Sequence, residues 1–433
     1  MQQRKVFGLS PNVVWMGVVS FLNDLSSDMI FPFIPIFLTS VLGASYAFVG
    51  LVEGIADATS SILKIASGWL SDKLAKRKRL VVIGYSLSAL AKPFLAAAAV
   101  PWHVLGVRFM DRVGKGMRDA PRDALISFST ERAILGRAFG FHRAMDTLGA
   151  ALGPLVAFAV LPFINQNYRT LFLLSFIASF FAVLILIFFV RELRPGVGET
   201  AGAAAPKERP LVVDVRVIES RRHGTPNKPS GLKLLGWPFF LFLGVATLAS
   251  LGKASEAFLI LKASEVGVAL ALLPILYFVF NVTFALLSAP LGMVADRVGK
   301  RNTFMAGLLV FSAVYFGLAF GATSSTIWFL FAFYGLYAAL TEGVGRAIVA
   351  GLVRPEVRAT AFGIYNASTG LALLPSSVIF GYLSQRFGSP IAFSYGAGLA
   401  LAAVVVFLAA QNLLTRREKI STLEQHCLAT RRR

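Results

Sequence analysis

Long apolar segments, separated by short polar ones, dominate the chain. A helix that crosses a bilayer needs about 20 mostly apolar residues, because its backbone has no water partner in the hydrocarbon core. Twelve segments meet this requirement, and we predict that each forms a transmembrane helix. The predicted spans are 13–40, 46–70, 80–100, 103–126, 136–161, 169–190, 235–261, 268–291, 303–321, 326–350, 359–383 and 391–413.

The polar segments alternate in positive charge. Both chain ends and the loops that follow the second, fourth, eighth and tenth helices carry clusters of Lys and Arg, and we assign Arg118 and Arg122 to the 4–5 loop. The loops that follow the odd-numbered helices carry one positive residue or none. Cytoplasmic loops of membrane proteins are enriched in Lys and Arg. We therefore predict a multi-pass protein of the inner membrane with both termini in the cytoplasm.

Composition supports a membrane protein over a soluble one. Hydrophobic residues make up 56% of the chain and charged residues only 15%, too few to cover a soluble surface. The net charge of +20 lies in loops rather than along one helix face, so we expect lipid and no nucleic acid as its partner. The single cysteine, Cys427, excludes an internal disulfide.

A polar stretch rich in Pro, Gly and charge divides the chain into two parts of similar length. We predict a first six-helix bundle over 1–190, a flexible cytoplasmic linker over 191–233, a second bundle over 234–413 and a basic tail over 414–433. The expected fold is an all-α membrane protein with two pseudo-symmetric halves.

Two short motifs recur in the second part at nearly one offset. The run from Gly68 through Asp72 and Lys73 reappears 224 residues later, from Gly292 through Asp296 and Arg297. Ala138-Phe139-Gly140 reappears 223 residues later, at Ala361. A parallel internal repeat of this kind predicts a binding site between the halves, near the middle of the membrane.

The duplicated motif resembles the loop signature of the major facilitator superfamily, and the resemblance covers the chain except the linker and tail. It implies a gating role for the motif residues, with the carboxylates pairing to Arg or to helix ends when the cytoplasmic side is shut. These residues are Gly68, Asp72, Lys73, Arg77, Gly292, Asp296, Arg297 and Arg301. Gly149, Gly153 and Pro154 in helix 5 are similar to a signature of proton-driven antiporters, although the usual trailing glycines are missing. We expect them to serve packing and gating.

Charged residues inside the predicted helices indicate function, because each costs free energy in lipid unless it has a partner or water. Helix 4 carries Arg108, Asp111, Arg112 and Lys115 on one stripe. Burial disfavours a charged carboxylate and a nearby arginine favours it, so such a group can exchange protons. We predict proton coupling at Asp24, Asp28 and Glu53. We predict substrate binding at Asn23, Arg112, Lys115, Asn281 and Glu256.

The predicted function is secondary active transport, coupled to protons, of a small polar or charged organic solute by alternating access. The helix 5 pattern favours export by antiport. Two runs, beginning at Phe21 and Asp111, resemble a bacterial subgroup with some siderophore-linked members, so movement of a siderophore or metal chelate is an alternative. A non-transporting membrane sensor is an alternative of another class.

No hydrolase or ATP-binding motif occurs, and we expect a monomer without enzymatic activity, cofactor or resident metal.

Overall fold

The computed structural model describes residues 9–74, 77–130, 134–192, 235–353 and 358–430, and these form twelve long helical segments. The segments are α1 (Pro11–Val41), α2 (Tyr46–Leu74), α3 (Arg77–Ala96), α4 (Pro101–Phe128), α5 (Leu135–Val160), α6 (Tyr168–Phe189), α7 (Gly236–Glu265), α8 (Leu273–Val298), α9 (Lys300–Phe316), α10 (Thr326–Leu352), α11 (Arg358–Phe387) and α12 (Ser389–Thr430). Most of the predicted linker lies outside the described residues. The helix α12 continues into the segment predicted as a tail.

Within the described part of the chain, eleven of these helices are long and apolar enough to cross a membrane. The remaining one is α4, whose charges lower its hydropathy. Arg118 and Arg122 belong to this helix rather than to the 4–5 loop, because α4 continues to Phe128, and Arg118 is buried. Twelve membrane crossings therefore stay a prediction, because α4 is long enough to cross the membrane but too charged to face lipid. If α4 crosses, its neighbours must shield its charges from lipid.

The helix contacts reproduce the internal repeat. In the first half α1 packs on α5 and α6, α4 packs on α2 and α3, and α3 packs on α6. In the second half α7 packs on α11 and α12, α10 packs on α8 and α9, and α9 packs on α12. Each of these contacts in the first half has its counterpart six helices later, as expected for a parallel repeat.

The main contacts between the halves are also related by the repeat. They are α2 against α11 and α5 against α8. Glycine allows α2 and α11 to approach closely: a Cβ on Gly54 would lie 2.9 Å from the Leu374 carbonyl oxygen, and one on Gly381 would lie 2.5 Å from that of Tyr46. A Cβ on Gly50 would lie even closer to the Ser377 carbonyl oxygen. The two halves therefore meet most tightly along α2 and α11.

One end of the molecule is closed and the other is open between the halves. We call the end at which α1 begins the terminal end and the opposite end the distal end. At the distal end a single apolar cluster contains residues of both halves, among them Phe33, Phe37, Phe258 and Phe280. At the terminal end each half has its own cluster, and among the described residues the two share no member. The space between the halves, here called the cleft, therefore opens toward the terminal end.

Two of the helices, α1 and α7, are interrupted at equivalent places. A 3₁₀ turn over Phe31–Phe33 and a π turn over Phe37–Val41 interrupt α1, next to Pro32 and Pro35. The α-helical hydrogen bonding of α7 stops at Gly252 and restarts at Glu256, where the Ser255 hydroxyl accepts a hydrogen bond from the Ala257 amide. Serine caps a helix start in this way, so it stabilises the new beginning. The polar side chains of Lys253 and Glu256 flank the interruption of α7.

Candidate functional site

The polar face of α1 lies at the cleft. Asp24 and Asp28 are four residues apart, share this face and are half-buried. Asn23 is buried, and its amide nitrogen donates a hydrogen bond to Asp24 over 3.0 Å. Asp28 is near enough to Asp24, Lys115 and Arg112 to interact electrostatically with each. The structure therefore groups the predicted proton-coupling pair on α1 with the predicted binding cations on α4.

Close packing of α5 positions this face of α1. A Cβ on Gly153 would lie 2.6 Å from the Leu25 carbonyl oxygen and 2.7 Å from the Met29 amide nitrogen. Gly149 has the same relation to Phe21, and Pro154 is buried one residue beyond Gly153. These residues permit the α1–α5 approach on both sides of Asp24 and Asp28. Gly149 and Gly153 therefore lie at a close helix contact within one half, and their gating role stays a prediction.

The α4 stripe divides into two parts. Arg112 lies at the cleft with its side chain 14% exposed, and its Nε is 3.8 Å from the Asp111 carboxylate. It also lies within electrostatic range of Asp57, Glu53 and Asp28. Arg108, one turn nearer the distal end, is buried and faces α2. Only the terminal-end part of the stripe therefore lines the cleft.

Glu53 lies apart from the open cleft. Its side chain is 3% exposed, and Arg108 holds it with Nη2 2.6 Å from Oε2 and 2.8 Å from Oε1. Ser255, at the interruption of α7, lies 3.4 Å from the same Oε2 and approaches it from the other half. The carboxylate predicted for proton coupling therefore lies in the closed distal contact, and sequence reasoning missed Arg108 as its partner.

The second half contributes an ion pair and an amide. Lys253 and Glu256 flank the interruption of α7, with Nζ and Oε1 3.8 Å apart and about a quarter of each side chain exposed. Asn281 on α8 donates a hydrogen bond to its own helix, at the Tyr277 carbonyl oxygen. Asn281 is half-buried, and its amide oxygen can accept a hydrogen bond.

Electrostatic contacts cross the cleft. Asp28 of α1 is within range of Glu256, and Asp57 of α2 is within range of both Lys253 and Glu256. Carboxylates and cations of both halves therefore surround one space, here called the cleft cluster. Its members are Asp24, Asp28, Asp57, Arg112, Lys115, Lys253 and Glu256. Asp57 lies four residues after Glu53 on α2, and of these two carboxylates it is the one that faces the cleft.

A second polar group of the first half had no clear sequence signal. Lys92 of α3 is buried, and its ammonium donates to the Ser179 hydroxyl of α6. Ser179 in turn donates to Ser26 of α1 over 2.7 Å, and Ser26 donates to the Ser175 carbonyl oxygen. A lysine within an apolar segment is the only signal that points to this network, because single serines are common in membrane helices.

The predicted gating residues lie at the terminal end. For Gly68, Asp72 and Lys73 the structure describes only the helical backbone of α2. Asp296 pairs with Lys300 of its own half at 3.6 Å, and Arg297 and Arg301 are exposed. Arg77 is buried against Phe128, and its amide donates to Glu192. Gly292 has open space around it. The pairing of Asp296 within one half agrees with the open cleft at this end.

Comparison with known sequences and structures identifies proteins that share this architecture. The family profile described as Major Facilitator Superfamily matches residues 16–259 and 239–425. An uncharacterised MFS-type transporter, MJ1317 of Methanocaldococcus jannaschii, is 34% identical over 92% of this chain and 95% of its own length. Multidrug resistance protein MdtH of Yersinia pestis is 24% identical over 80% and 79%. The crystal structure of a peptide transporter, POT, in complex with sulfate has a TM-score of 0.72 at 16% identity, over 96% of this chain and 97% of that one.

Two related helical halves around a charged, membrane-embedded cleft define a solute transporter rather than an enzyme. The chain belongs to the major facilitator superfamily.

Proposed function

We propose that the protein is a proton-coupled secondary active transporter of a small polar or charged organic solute. The observation that supports this most is the cleft cluster, in which Asp28 and Arg112 of the first half face Lys253 and Glu256 of the second. A solute that contacts both halves is positioned to respond to their relative movement, as alternating access requires. Charge of both signs favours a solute that carries an anionic group and a second polar or cationic group.

Coupling follows from competition for Arg112. A deprotonated Asp28 occupies the arginine electrostatically, whereas a protonated Asp28 leaves the guanidinium to bind an anionic group of the solute. A change in solvent access at the cleft changes the proton affinity of Asp28, so solute and proton binding are linked.

Export is the favoured direction. Gly149, Gly153 and Pro154 follow part of the antiporter signature in α5, and MdtH, a relative along most of the chain, is a multidrug resistance protein by name. Movement of a siderophore or metal chelate fits the same cleft as an alternative, because Arg112 and Lys115 repel a bare cation but attract an anionic chelate. A sensor without transport is the alternative of another class.

We propose the inner membrane as the location, with both termini in the cytoplasm and the protein acting as a monomer. The alternating Lys and Arg clusters of the loops support this orientation. It makes the terminal end cytoplasmic, so that the cleft opens inward.

Reconstitution into liposomes tests the proposal. Candidate organic acids, zwitterions, siderophores and antibiotics are first screened for thermal stabilisation of the purified protein, since a true ligand stabilises by mass action. Hits are then added to proteoliposomes with a pH-sensitive dye inside. We expect solute movement to change the internal pH, and an imposed pH gradient to drive the solute. Solute flux without proton movement would exclude proton coupling, and tight binding without flux would favour the sensor.

Asp123→Asn is the matched control, because Asp123 is an exposed carboxylate of α4 outside the cleft cluster. We expect the coupling of this variant to equal that of the unmodified protein.

A further inference from the structure

Asp146 of α5 is a buried carboxylate that the coupling mechanism above does not use. The buried Ser20 hydroxyl of α1 donates a hydrogen bond to its Oδ1. Ser20, Asp24 and Asp28 follow one another at intervals of four residues, so they share one face of α1. The Ser20 contact therefore holds Asp146 against the face that carries both predicted coupling residues, one turn before Asp24.

The packing of α5 on α1 keeps Asp146 in this position. Gly149 and Gly153 follow Asp146 at intervals of three and four residues, on the same face of α5. A Cβ on either glycine would overlap the α1 backbone, so the two helices are in close contact beside Asp24. A movement of the whole first half therefore carries Asp146 and Asp24 together. A solute in the cleft can occupy the cations there, but Asp146 presents the same charge to Asp24 throughout.

The negative charge of Asp146 is only partly neutralised. Nη1 of Arg143 is 3.8 Å from Oδ2 of Asp146, but 67% of the Arg143 side chain is exposed, so water screens this pair. Nδ1 of His142 is 4.0 Å from the same oxygen. His142 is buried, and among the described residues its Nε2 has no hydrogen-bond partner, so a protonated ring would bury an N–H without an acceptor. The imidazole is therefore neutral and leaves the carboxylate charge in place.

Asp24 experiences this charge directly. Of the charged side chains around Asp24, Asp146 acts on it most strongly, ahead of Lys115 and Arg118 of α4. Two carboxylates in one buried site disfavour a double negative charge, so the proton is retained on one of them. The other titratable or charged groups within electrostatic range of Asp24 or Asp146 are Asp28 of α1, Tyr85 and Lys92 of α3, and Arg122 and Asp123 of α4.

We propose that Asp146 is a positioning residue of the proton-coupling site, and that its fixed negative charge makes Asp24 retain its proton to higher pH. While Asp24 is neutral, Asp28 is the carboxylate of this face that competes with a solute for Arg112. The part that Asp146 plays in transport rests on the proposed function, but its effect on Asp24 can be measured without transport.

Infrared spectroscopy of the purified protein tests this effect, because a protonated carboxyl group has a C=O stretching band of its own. The band that is lost in Asp24→Asn belongs to Asp24, and its amplitude is followed against pH in the parent protein and in Asp146→Asn. The asparagine oxygen can still accept the Ser20 hydrogen bond, so this variant removes the charge and keeps the contact. We expect the midpoint of the Asp24 band to fall by about one pH unit. Solute-driven proton movement in proteoliposomes should shift in the same direction, with an unchanged KM for the solute.

Two control variants separate the charge from the hydrogen bond and from other carboxylates. Ser20→Ala removes the hydrogen bond but keeps the charge of Asp146, and the Asp24 midpoint should stay near the parent value. Asp123→Asn removes an exposed carboxylate of α4, and it should leave the midpoint unchanged. Equal shifts in Ser20→Ala and Asp146→Asn would mean that Asp146 only ties α5 to α1, and the proposal would be wrong.

Arg143→Gln tests the same charge with the opposite sign. Its side chain is mostly exposed, so we expect this variant to fold, and it carries the test if Asp146→Asn does not fold. Removal of the cation beside Asp146 leaves more negative charge facing Asp24, so the midpoint should rise. A midpoint that falls or stays constant in Arg143→Gln would overturn the proposal. Solute flux without proton movement in the parent protein, together with the expected infrared shifts, would reject the coupled function and leave the effect of Asp146 on Asp24 established.

Discussion

Nη2 of Arg108 lies 2.6 Å from Oε2 of Glu53, and both side chains are almost fully buried where the distal end is closed. The same carboxylate oxygen is 3.4 Å from the Ser255 hydroxyl of the other half. This three-residue contact joins α4, α2 and the interruption of α7. Opening the distal end must separate Glu53 from Ser255, whereas the Glu53–Arg108 pair lies within one half and can persist.

We predict that Glu53→Gln weakens closure of the distal end. Loss of one partner leaves Arg108 buried without its counter-charge, a change that typically costs about 3–5 kcal/mol. In a Cys427→Ser background, a reporter cysteine at the buried position Ala257 should react faster with a membrane-impermeant maleimide when Glu53 is changed. The double variant Glu53→Gln, Arg108→Gln should recover part of the protection, because it leaves no unpaired charge.

Glu265→Gln is the control for this experiment. It removes an ion pair with Lys262, also near the distal end, but within the second half and with 42% of the Glu265 side chain exposed. Its reporter reactivity should stay at the level of the parent protein. Equal increases in both variants would mean that the Glu53 contact has no special part in closure.

We predict that Gly54→Ala disturbs the contact between the halves. A Cβ at this position would lie 2.9 Å from the Leu374 carbonyl oxygen, so α2 and α11 must move apart. Overpacking of this kind costs about 1–3 kcal/mol, measurable as a lower Tm together with increased reactivity of a cysteine at Ala257. Gly106→Ala on α4 has nothing within 4 Å of its new Cβ and should change neither reading. A Gly54→Ala protein as stable and as closed as Gly106→Ala would contradict the close approach.

We predict that Asp28→Asn uncouples transport from protons. The amide cannot exchange a proton, so the variant should behave at every pH like the protein with Asp28 protonated, and transport should lose its dependence on the pH gradient. Substrate binding should persist, because Arg112 is then free of the competing charge. Solute-driven pH change in proteoliposomes measures the coupling, and an unaltered response in Asp28→Asn would assign it to another carboxylate of the cleft cluster.

We predict that Lys92→Met stabilises the protein or leaves its stability within about 1 kcal/mol of the parent value, since methionine keeps the packing while removing a buried charge. Among the described residues no carboxylate lies within 4 Å of the Lys92 ammonium, and its hydrogen bond goes to neutral Ser179. Lys92→Ala also removes the charge but leaves a cavity, and its free energy of unfolding should fall by about 2–5 kcal/mol. Thermal unfolding in the same detergent compares the two. A large loss in Lys92→Met would mean that the charge itself holds α3, α6 and α1 together.

Sequence patterns predicted the helices well and the partners of charged residues poorly. The twelve apolar segments and the duplicated motif indicated two six-helix halves, and the fold is that of the superfamily. Asp28 and Arg112 lie within electrostatic range of each other, and their roles in coupling and binding stay predictions. Counting could not tell that Arg108 rather than Arg112 pairs directly with Glu53, because a difference of one turn along α4 depends on how α2 and α4 cross.

The amino-acid order by itself predicted the all-helical fold, the repeat and the charges that lipid must not meet. These follow from local chemistry, since a backbone in hydrocarbon must form helices and each buried charge needs a partner. Only the tertiary structure decided which end is closed, where α7 is interrupted, and that Glu53 joins the distal contact while Asp57 faces the cleft. Those outcomes depend on packing between residues some 200 positions apart, such as Glu53 and Ser255, and no pattern along the chain records the angle at which two helices cross.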